Sequence, residues 1–319
     1  MASLLALAAC NEIVGFGDLE RAGADAPEGE DAGRPRDSGD KSIADVLTPD
    51  VQTPTAPDGG PRCSPTKPFA PPEAIAELDG ADQTRSAIMS GDELEIFYLR
   101  GLTTPFELRH ARRGSATDAW DAPKTEVMTE SPVLLGSLTA GALKLYFYQP
   151  IVGSEPSKVF FATRPRRDEP FGAASRVGGI VVNDRYVVST ADDVAYTSRG
   201  TTGDGGVLEN ELLQATVFAN SFGTPKQVPG IHAPGARDSR PVVNDGETIL
   251  VFASARPGGP GALDLWMATR ASRTDRFSPP FRIDELSSPS AEMPSWISGD
   301  GCVVLFDRGS QFLIARRPL

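Results

Sequence analysis

Residues 240–270 read RPVVNDGETILVFASARPGGPGALDLWMATR and contain two apolar runs bounded by turn signals. The pair Asp245-Gly246 marks a turn before the first run. Residues 249–254 are partly apolar on both alternating faces, a pattern typical of a strand packed between neighbouring sheets. A Gly/Pro loop at 257–261 turns the chain, and 263–269 follows as the next strand. This segment therefore predicts consecutive short antiparallel strands.

The same pattern recurs along the chain, and an aromatic residue marks each unit. These residues are Phe69, Trp120, Phe171, Phe222 and Phe277, with gaps of 51, 51, 51 and 55 residues. A period of this length indicates a stacked or radial repeat. No segment has a sustained 3.6-residue apolar period, so we expect an all-β domain. About four short strands per unit predict a β-propeller of five blades, or of six if the weak third unit conceals a short blade.

The two ends of the repeat region indicate how the ring closes. The last unit has three strands and no fourth, whereas an unassigned strand segment, 67–75, precedes the first unit. We expect this N-terminal strand to complete the C-terminal blade. Cys63 precedes that strand, and Cys302 starts the second strand of the last blade, so both lie at the same end of the blade. The two cysteines either form a disulfide, which requires an oxidising compartment, or remain unpaired as two partly buried thiols.

The N-terminus resembles an export signal. Leu7-Ala8-Ala9-Cys10 resembles a bacterial lipobox, whose chemistry needs small residues beside the cleaved bond and a thiol to carry lipid. We predict a signal peptide at 1–9, truncated because no basic residue precedes its apolar run, and lipidation of Cys10. The alternative is an incidental cysteine in an apolar terminus. Residues 10–65, acidic and rich in Pro and Gly, are a predicted disordered tether, and 66–319 form the propeller.

Composition and motifs argue against several functions. The net charge of −12 disfavours a nucleic-acid partner. The two histidines, His110 and His232, have no partner at metal-ligand spacing, and His110 is expected on the surface. No phosphate-binding or hydrolase motif is present, so no cofactor and no catalytic residue is predicted.

Arginine follows the second strand in four of the five units. The residues are Arg100, Arg199, Arg256 and Arg308, and acids recur before the first strands at Asp82, Asp238 and Glu292. Propeller symmetry places them on one face. They form either a basic ring that captures an anionic group or Arg–acid pairs that order the loops of each blade.

Four phrases of the repeat are similar to the WD40-like repeats of TolB-type propellers. They are Ser90-Gly-Asp-Glu, Phe252-Ala-Ser-Ala-Arg-Pro-Gly-Gly, Asp264-Leu-Trp-Met-Ala-Thr-Arg270 and Trp296-Ile-Ser-Gly-Asp-Gly301. Ala255 departs from the usual Asp, and Gln149 from the usual Arg. The resemblance covers about 66–319 and implies an exported, often lipid-anchored, binding scaffold.

We therefore expect a monomeric lipoprotein on the periplasmic side or the cell surface, which binds a protein or an envelope glycan without catalysis. The predicted contact face carries the Gly/Pro loops at about 101–105, 149–157, 199–210 and 257–263. The alternative is a glycoside hydrolase or sialidase-like enzyme with paired axial carboxylates, or a carbohydrate-binding module.

Overall fold

The structure is a computed structural model that describes residues 61–75, 77–78, 84–101, 106–129, 133–149, 158–179, 186–188, 191–202, 208–309 and 311–319. The predicted signal peptide, Cys10, the tether up to residue 60 and Asp82 lie outside the described residues. Of the predicted contact loops, 102–105, 150–157 and 203–207 also lie outside them, whereas 257–263 is fully described.

The described chain forms five antiparallel sheets, which are the five blades of a β-propeller. Strand β1 (Glu73–Ala74) precedes blade 1, which contains β2 (Thr84–Met89), β3 (Glu95–Arg100), β4 (Phe106–Arg112) and β5 (Lys124–Thr129). Blade 2 contains β6 (Leu134–Leu138), β7 (Lys144–Gln149), β8 (Lys158–Thr163) and β9 (Ser175–Arg176). Blade 3 contains β10 (Tyr186–Val188), β11 (Val194–Thr202), β12 (Leu208–Phe218), β13 (Ser221–Phe222) and β14 (Lys226–Gln227). Blade 4 contains β15 (Ser239–Val243), β16 (Ile249–Ser254), β17 (Asp264–Thr269) and β18 (Phe281–Arg282).

Blade 5 contains β19 (Glu292–Ile297), β20 (Val303–Arg308) and β21 (Gln311–Arg316), and β1 adds its fourth strand. The first strands β2, β6, β10, β15 and β19 each contact the first strand of the next blade, and β19 contacts β2, so the ring is closed. Apolar clusters fill the space between blades, such as Val251 and Leu265 against Val304 and Phe306. The five-bladed all-β prediction is confirmed. Within the described ranges, no helix is long and apolar enough to cross a membrane.

The N-terminal segment closes the ring as the sequence predicts. In the antiparallel pairing of β1 with β21, Glu73 lies opposite Ile314 and Ala74 opposite Leu313. Cys63 and Cys302 form a disulfide with a Cα–Cα distance of 5.7 Å. Both the closing strand and the predicted disulfide are therefore present in the structure.

Arg62 adds an ionic connection beside that disulfide. Its Nε and Nη2 donate to the Asp300 carboxylate at 2.8 and 3.0 Å, and its Nη2 donates to Glu93 Oε1 at 2.6 Å. Asp300 belongs to the first turn of blade 5 and Glu93 to that of blade 1. Arg62 thus joins the last blade to the first.

The recurring aromatic residue packs under an arginine that follows the third strand. The pairs are Arg113 over Trp120 at 4.2 Å, Arg164 over Phe171 at 4.7 Å, Arg270 over Phe277 at 4.2 Å and Arg317 over Phe69 at 4.0 Å. Blade 3 differs, because Val217 takes the backbone position of this arginine and Phe222 follows after a short turn. The 51-residue spacing therefore reflects a repeated cation–π contact.

The same arginines fix the turn between the first and second strands. Each turn contains a residue with a positive φ, namely Glu93, Ala142, Asp192, Glu247 and Gly301, and the turn of blade 2 also contains Gly141. The Nε atoms of Arg113, Arg164 and Arg270 donate to the carbonyls of Glu93, Ala142 and Glu247 at 2.7, 2.8 and 2.6 Å. Each of these three arginines therefore joins a left-handed turn to an aromatic ring.

Gly230 lies where the connection into blade 4 crosses the backbone of Phe277. Its φ is +95°, and a Cβ at this position would lie 2.3 Å from the Phe277 carbonyl oxygen. We expect Gly230→Ala to lower the free energy of unfolding by about 3 kcal/mol, because backbone must shift and φ is unfavourable. Gly235 has a φ of +76° with nothing near its Cβ position, so Gly235→Ala should cost only about 1 kcal/mol. Urea denaturation measures the free energy of unfolding of both variants. Equal losses in the two would contradict the close contact between Gly230 and the Phe277 backbone.

Candidate functional site

The two faces of the propeller carry different groups. We call the face at the ends of the second strands, which bears Arg100, Arg199, Arg256 and Arg308, the upper face. The opposite face bears the left-handed turns and is called the lower face. Arg100 and Arg308 are the last residues of β3 and β20, Arg256 follows β16 by two positions, and Arg199 lies within the longer β11.

On the upper face, Arg256 donates hydrogen bonds to a buried carboxylate. Its Nη2 and Nε donate to Asp238 at 2.6 and 3.1 Å, and Nη2 also donates to the Ile231 carbonyl at 2.6 Å. Asp238 is 1% exposed and also accepts from Ser254 Oγ at 2.6 Å. These bonds hold together the second strand of blade 4 and the segment before its first strand.

Arg308 makes the equivalent contacts in blade 5. Its Nε donates to Glu292 at 2.9 Å, its Nη2 donates to the Leu286 carbonyl at 2.8 Å, and Glu292 is fully buried. The other two arginines face acids of their own third strands, with Arg199 2.6 Å from Glu211 and Arg100 4.0 Å from Glu107. All four arginines therefore contact carboxylates, the arrangement expected if Arg–acid pairs order the loops.

The loop at 257–263 is the part of the predicted contact surface that is fully described. Its residues Pro257, Gly258, Pro260 and Ala262 are exposed. Arg282 donates to the Gly258 carbonyl and so fixes the middle of the loop. A Cβ on Gly261 would lie 2.4 and 2.5 Å from the carbonyl oxygens of Ser290 and Ser288, so the loop packs closely on the connection to blade 5. The loop presents small apolar groups on a fixed backbone.

On the lower face, Glu95 is the centre of a buried charge cluster between blades 1 and 2. It is 2% exposed, and its carboxylate lies 2.5 Å from Arg164 Nη2, 2.8 Å from Arg112 Nε and 3.1 Å from Arg167 Nε. Burial alone would raise the pKa of Glu95. The nearby His110, Arg164 and Arg167 outweigh burial and lower this pKa to about 2.

His110 belongs to this cluster, so the expectation that it lies on the surface is wrong. It is 6% exposed and stacks on Phe97 with ring centroids 4.0 Å apart. Its Nδ1 lies 3.0 Å from Glu126 Oε1, and its Nε2 lies 3.6 Å from Glu95 Oε1. The hydrogen bond with His110 lowers the pKa of Glu126 despite partial burial. His232, in contrast, is exposed at the upper face.

A cleft of about 230 Å³ opens beside this cluster, and we call it the interblade cleft. Residues of β4 and β5 form one wall, and the loop after β8 forms the other. The polar groups that line it include His110, Arg112, Lys124, Glu126, Arg164 and Asp168. In the described part of the chain, no three His, Cys, Asp or Glu side chains are arranged to hold a metal ion.

Similar contacts join the following blades on the lower face. Tyr146 of blade 2 donates to Asp192 of blade 3 at 2.6 Å, and Lys144 lies 2.8 Å from the same carboxylate. Tyr196 of blade 3 donates to Glu247 of blade 4 at 2.7 Å. Burial and the adjacent carboxylates raise the pKa values of both tyrosines. The lower face is therefore held by polar contacts between blades.

Comparison with known proteins finds similarity at the level of the fold. No protein-family model and no curated protein matches the chain. TolB from Acinetobacter baumannii is 12% identical with a TM-score of 0.47, and the match covers 75% of this chain and 55% of TolB. An α-L-arabinofuranosidase from Lactobacillus brevis is 10% identical with a TM-score of 0.46, covering 74% and 90% of the two chains. The chain thus spans about half the length of TolB.

Proposed function

We propose that this protein is an exported, lipid-anchored propeller of the TolB type that binds a protein or a cell-envelope component without catalysis. The contact surface is the upper face with its Gly/Pro loops. The WD40-like phrases in units four and five support the TolB-type assignment. The buried disulfide agrees with folding in an oxidising compartment.

The pairing of the upper-face acids is the observation that favours binding over glycoside hydrolysis. Asp238 and Glu292 are both buried and hydrogen-bonded to arginine. A glycosidase needs two carboxyl groups that flank an open site, one of them protonated as the general acid. Asp238 and Glu292 instead point inward, and their carboxylate oxygens accept hydrogen bonds from Arg256 and Arg308. These two groups are thus better suited to ordering the loops.

The binding face can be tested by adding bulk to the exposed loop. We expect Ala262→Arg in the full-length protein to lose a partner that the unaltered protein captures from its own envelope fraction. The matched control is Thr269→Arg, because Thr269 is exposed at the opposite end of β17, on the lower face. Retention of every partner by Ala262→Arg, or equal loss in the control, would contradict this face. Hydrolysis of a glycan panel that Asp238→Asn abolishes would establish the enzyme alternative instead.

The anchor can be tested independently of the propeller. We expect the full-length protein to incorporate a fatty-acid analogue in a bacterial host with a lipoprotein pathway, if necessary behind a complete signal peptide. Cys10→Ala should abolish this labelling, since the thiol carries the lipid, whereas Cys63→Ala should retain it. Equal labelling of the Cys10→Ala variant would show that Cys10 is not the attachment site.

A further inference from the structure

Two polar groups at the base of the interblade cleft, Arg164 and His110, are fixed before any ligand enters. Arg164 donates its Nε to the Ala142 carbonyl and its Nη2 to Glu95, and it stacks on Phe171. His110 is held by Phe97 on its face and by Glu126 on its edge. A ligand in this cleft would not have to order these groups, which lowers the entropic cost of binding.

Charges of both signs line the cleft. The lining contains three cationic side chains, Arg112, Lys124 and Arg164, and four anionic ones, Asp121, Glu126, Asp168 and Glu169. Nearly balanced charges give no strong field of one sign, and such a field is what would concentrate a simple anion or cation. The arrangement suits an uncharged ligand that both donates and accepts hydrogen bonds.

Two groups at the rim are available for such bonds. The Lys124 and Asp121 side chains form no hydrogen bond or ion pair with the parts of the chain that the structure describes, and both are exposed. An ammonium group only donates and a carboxylate only accepts, so the pair matches neighbouring hydroxyl groups. Pro170 and Phe171 add an apolar wall on the opposite side. Apolar walls with a few placed polar groups are typical of small-molecule sites.

We infer that the interblade cleft binds a single saccharide ring, whose hydroxyls bond to Lys124, Asp121 and Glu126 and whose C–H face packs on Phe171. Its volume of about 230 Å³ is below that of sites for drug-sized ligands, roughly 300–1,000 Å³, so it admits one ring rather than a chain. The site lies on the lower face and does not depend on the upper-face proposal. The propeller would then have a small-molecule site in addition to the binding surface proposed on its upper face.

Saturation-transfer NMR on the full-length protein tests this site with glucose, galactose, mannose and N-acetylglucosamine as probes. We expect at least one sugar to bind, and we expect Lys124→Ala and Asp121→Ala each to weaken its binding by about tenfold, since each removes a hydrogen bond to a charged group. Both residues are at the rim, so the variants should fold as the unaltered protein does. The control is Lys226→Ala, an exposed lysine on blade 3 that should leave binding unchanged.

Three outcomes would overturn the inference. They are no signal from any of the four sugars, unchanged affinity in both rim variants, and binding confined to glutamate or inorganic phosphate as charged comparison probes. Loss of envelope partners in Ala262→Arg reports on the upper face alone, so the two proposals fail separately.

Discussion

Replacing Cys63 and Cys302 together with serine is expected to lower the thermal midpoint by roughly 10–20 °C. The disulfide joins residues 239 positions apart and so constrains nearly the whole propeller in the unfolded state. In the chain-entropy model a loop of that length contributes about 5 kcal/mol, and each kcal/mol shifts the midpoint of a domain of this size by about 2–4 °C. Calorimetry of the full-length variant measures the shift.

The third cysteine provides the control for this prediction. Cys10→Ser keeps the Cys63–Cys302 bond and should melt as the unaltered protein does. The unaltered protein with its disulfide reduced should melt as the double variant does. An unchanged thermal midpoint in the double variant would mean that the Cys63–Cys302 disulfide does not stabilise the closed ring.

Glu95→Gln is expected to lower the free energy of unfolding by about 3–5 kcal/mol. The substitution leaves the Arg164 guanidinium, 2% exposed, without its counter-ion, and breaking a buried ion pair from one side carries a cost of this size. Glu107→Gln is the matched control on the same blade, because Glu107 is partly exposed and pairs with Arg109 at 3.2 Å. It should cost less than about 1 kcal/mol. Urea denaturation at neutral pH measures the free energy of unfolding of both variants. Equal losses in Glu95→Gln and Glu107→Gln would contradict a buried charge cluster around Glu95.

The same residue predicts part of the acid sensitivity of the fold. The pKa of Glu95 is about 2 in the folded protein and ordinarily 4.5, so the folded state favours its ionised form. Its contribution to stability is complete above about pH 4.5 and is lost as pH falls through 4.5 towards 2. Between pH 5 and 2.5 the free energy of unfolding should therefore fall less steeply in Glu95→Gln than in the unaltered protein. Parallel curves would show that Glu95 is not perturbed.

The sequence was sufficient to predict the architecture because each unit repeats the same turns and apolar runs. The assignment of 67–75 to the last blade followed from counting strands, and that count also placed Cys63 beside Cys302. These features depend on the order of elements along the chain and not on side-chain packing. These features can therefore be predicted from the sequence alone.

The sequence also carries a regular signal for the arginines of the lower face. Arg113, Arg164 and Arg270 each precede the recurring aromatic residue by seven positions, to Trp120, Phe171 and Phe277. The spacing brings each arginine over its ring across the turn between the third and fourth strands.

The burial of His110 could also have been read from the alternation in β4. Phe106, Leu108 and His110 share one face of that strand, and all three are buried. Arg109 and Arg112, which flank His110 in the sequence, are only partly buried, so the charged residues near His110 do not indicate its own position. The interblade cleft is different, because His110 and Phe171 come from separate repeat units. Their proximity depends on how two blades pack, which the pattern of a single repeat does not specify.

Peptide mapping of the native protein without reductant tests the closed ring most directly. The account predicts a proteolytic fragment in which the peptide containing Cys63 is covalently joined to the peptide containing Cys302, while the Cys10 peptide lies outside this link. Reduction should separate the two peptides. Free thiols at Cys63 and Cys302 in the native protein, or a link from either of them to Cys10, would contradict the closure of the fifth blade by the N-terminal segment.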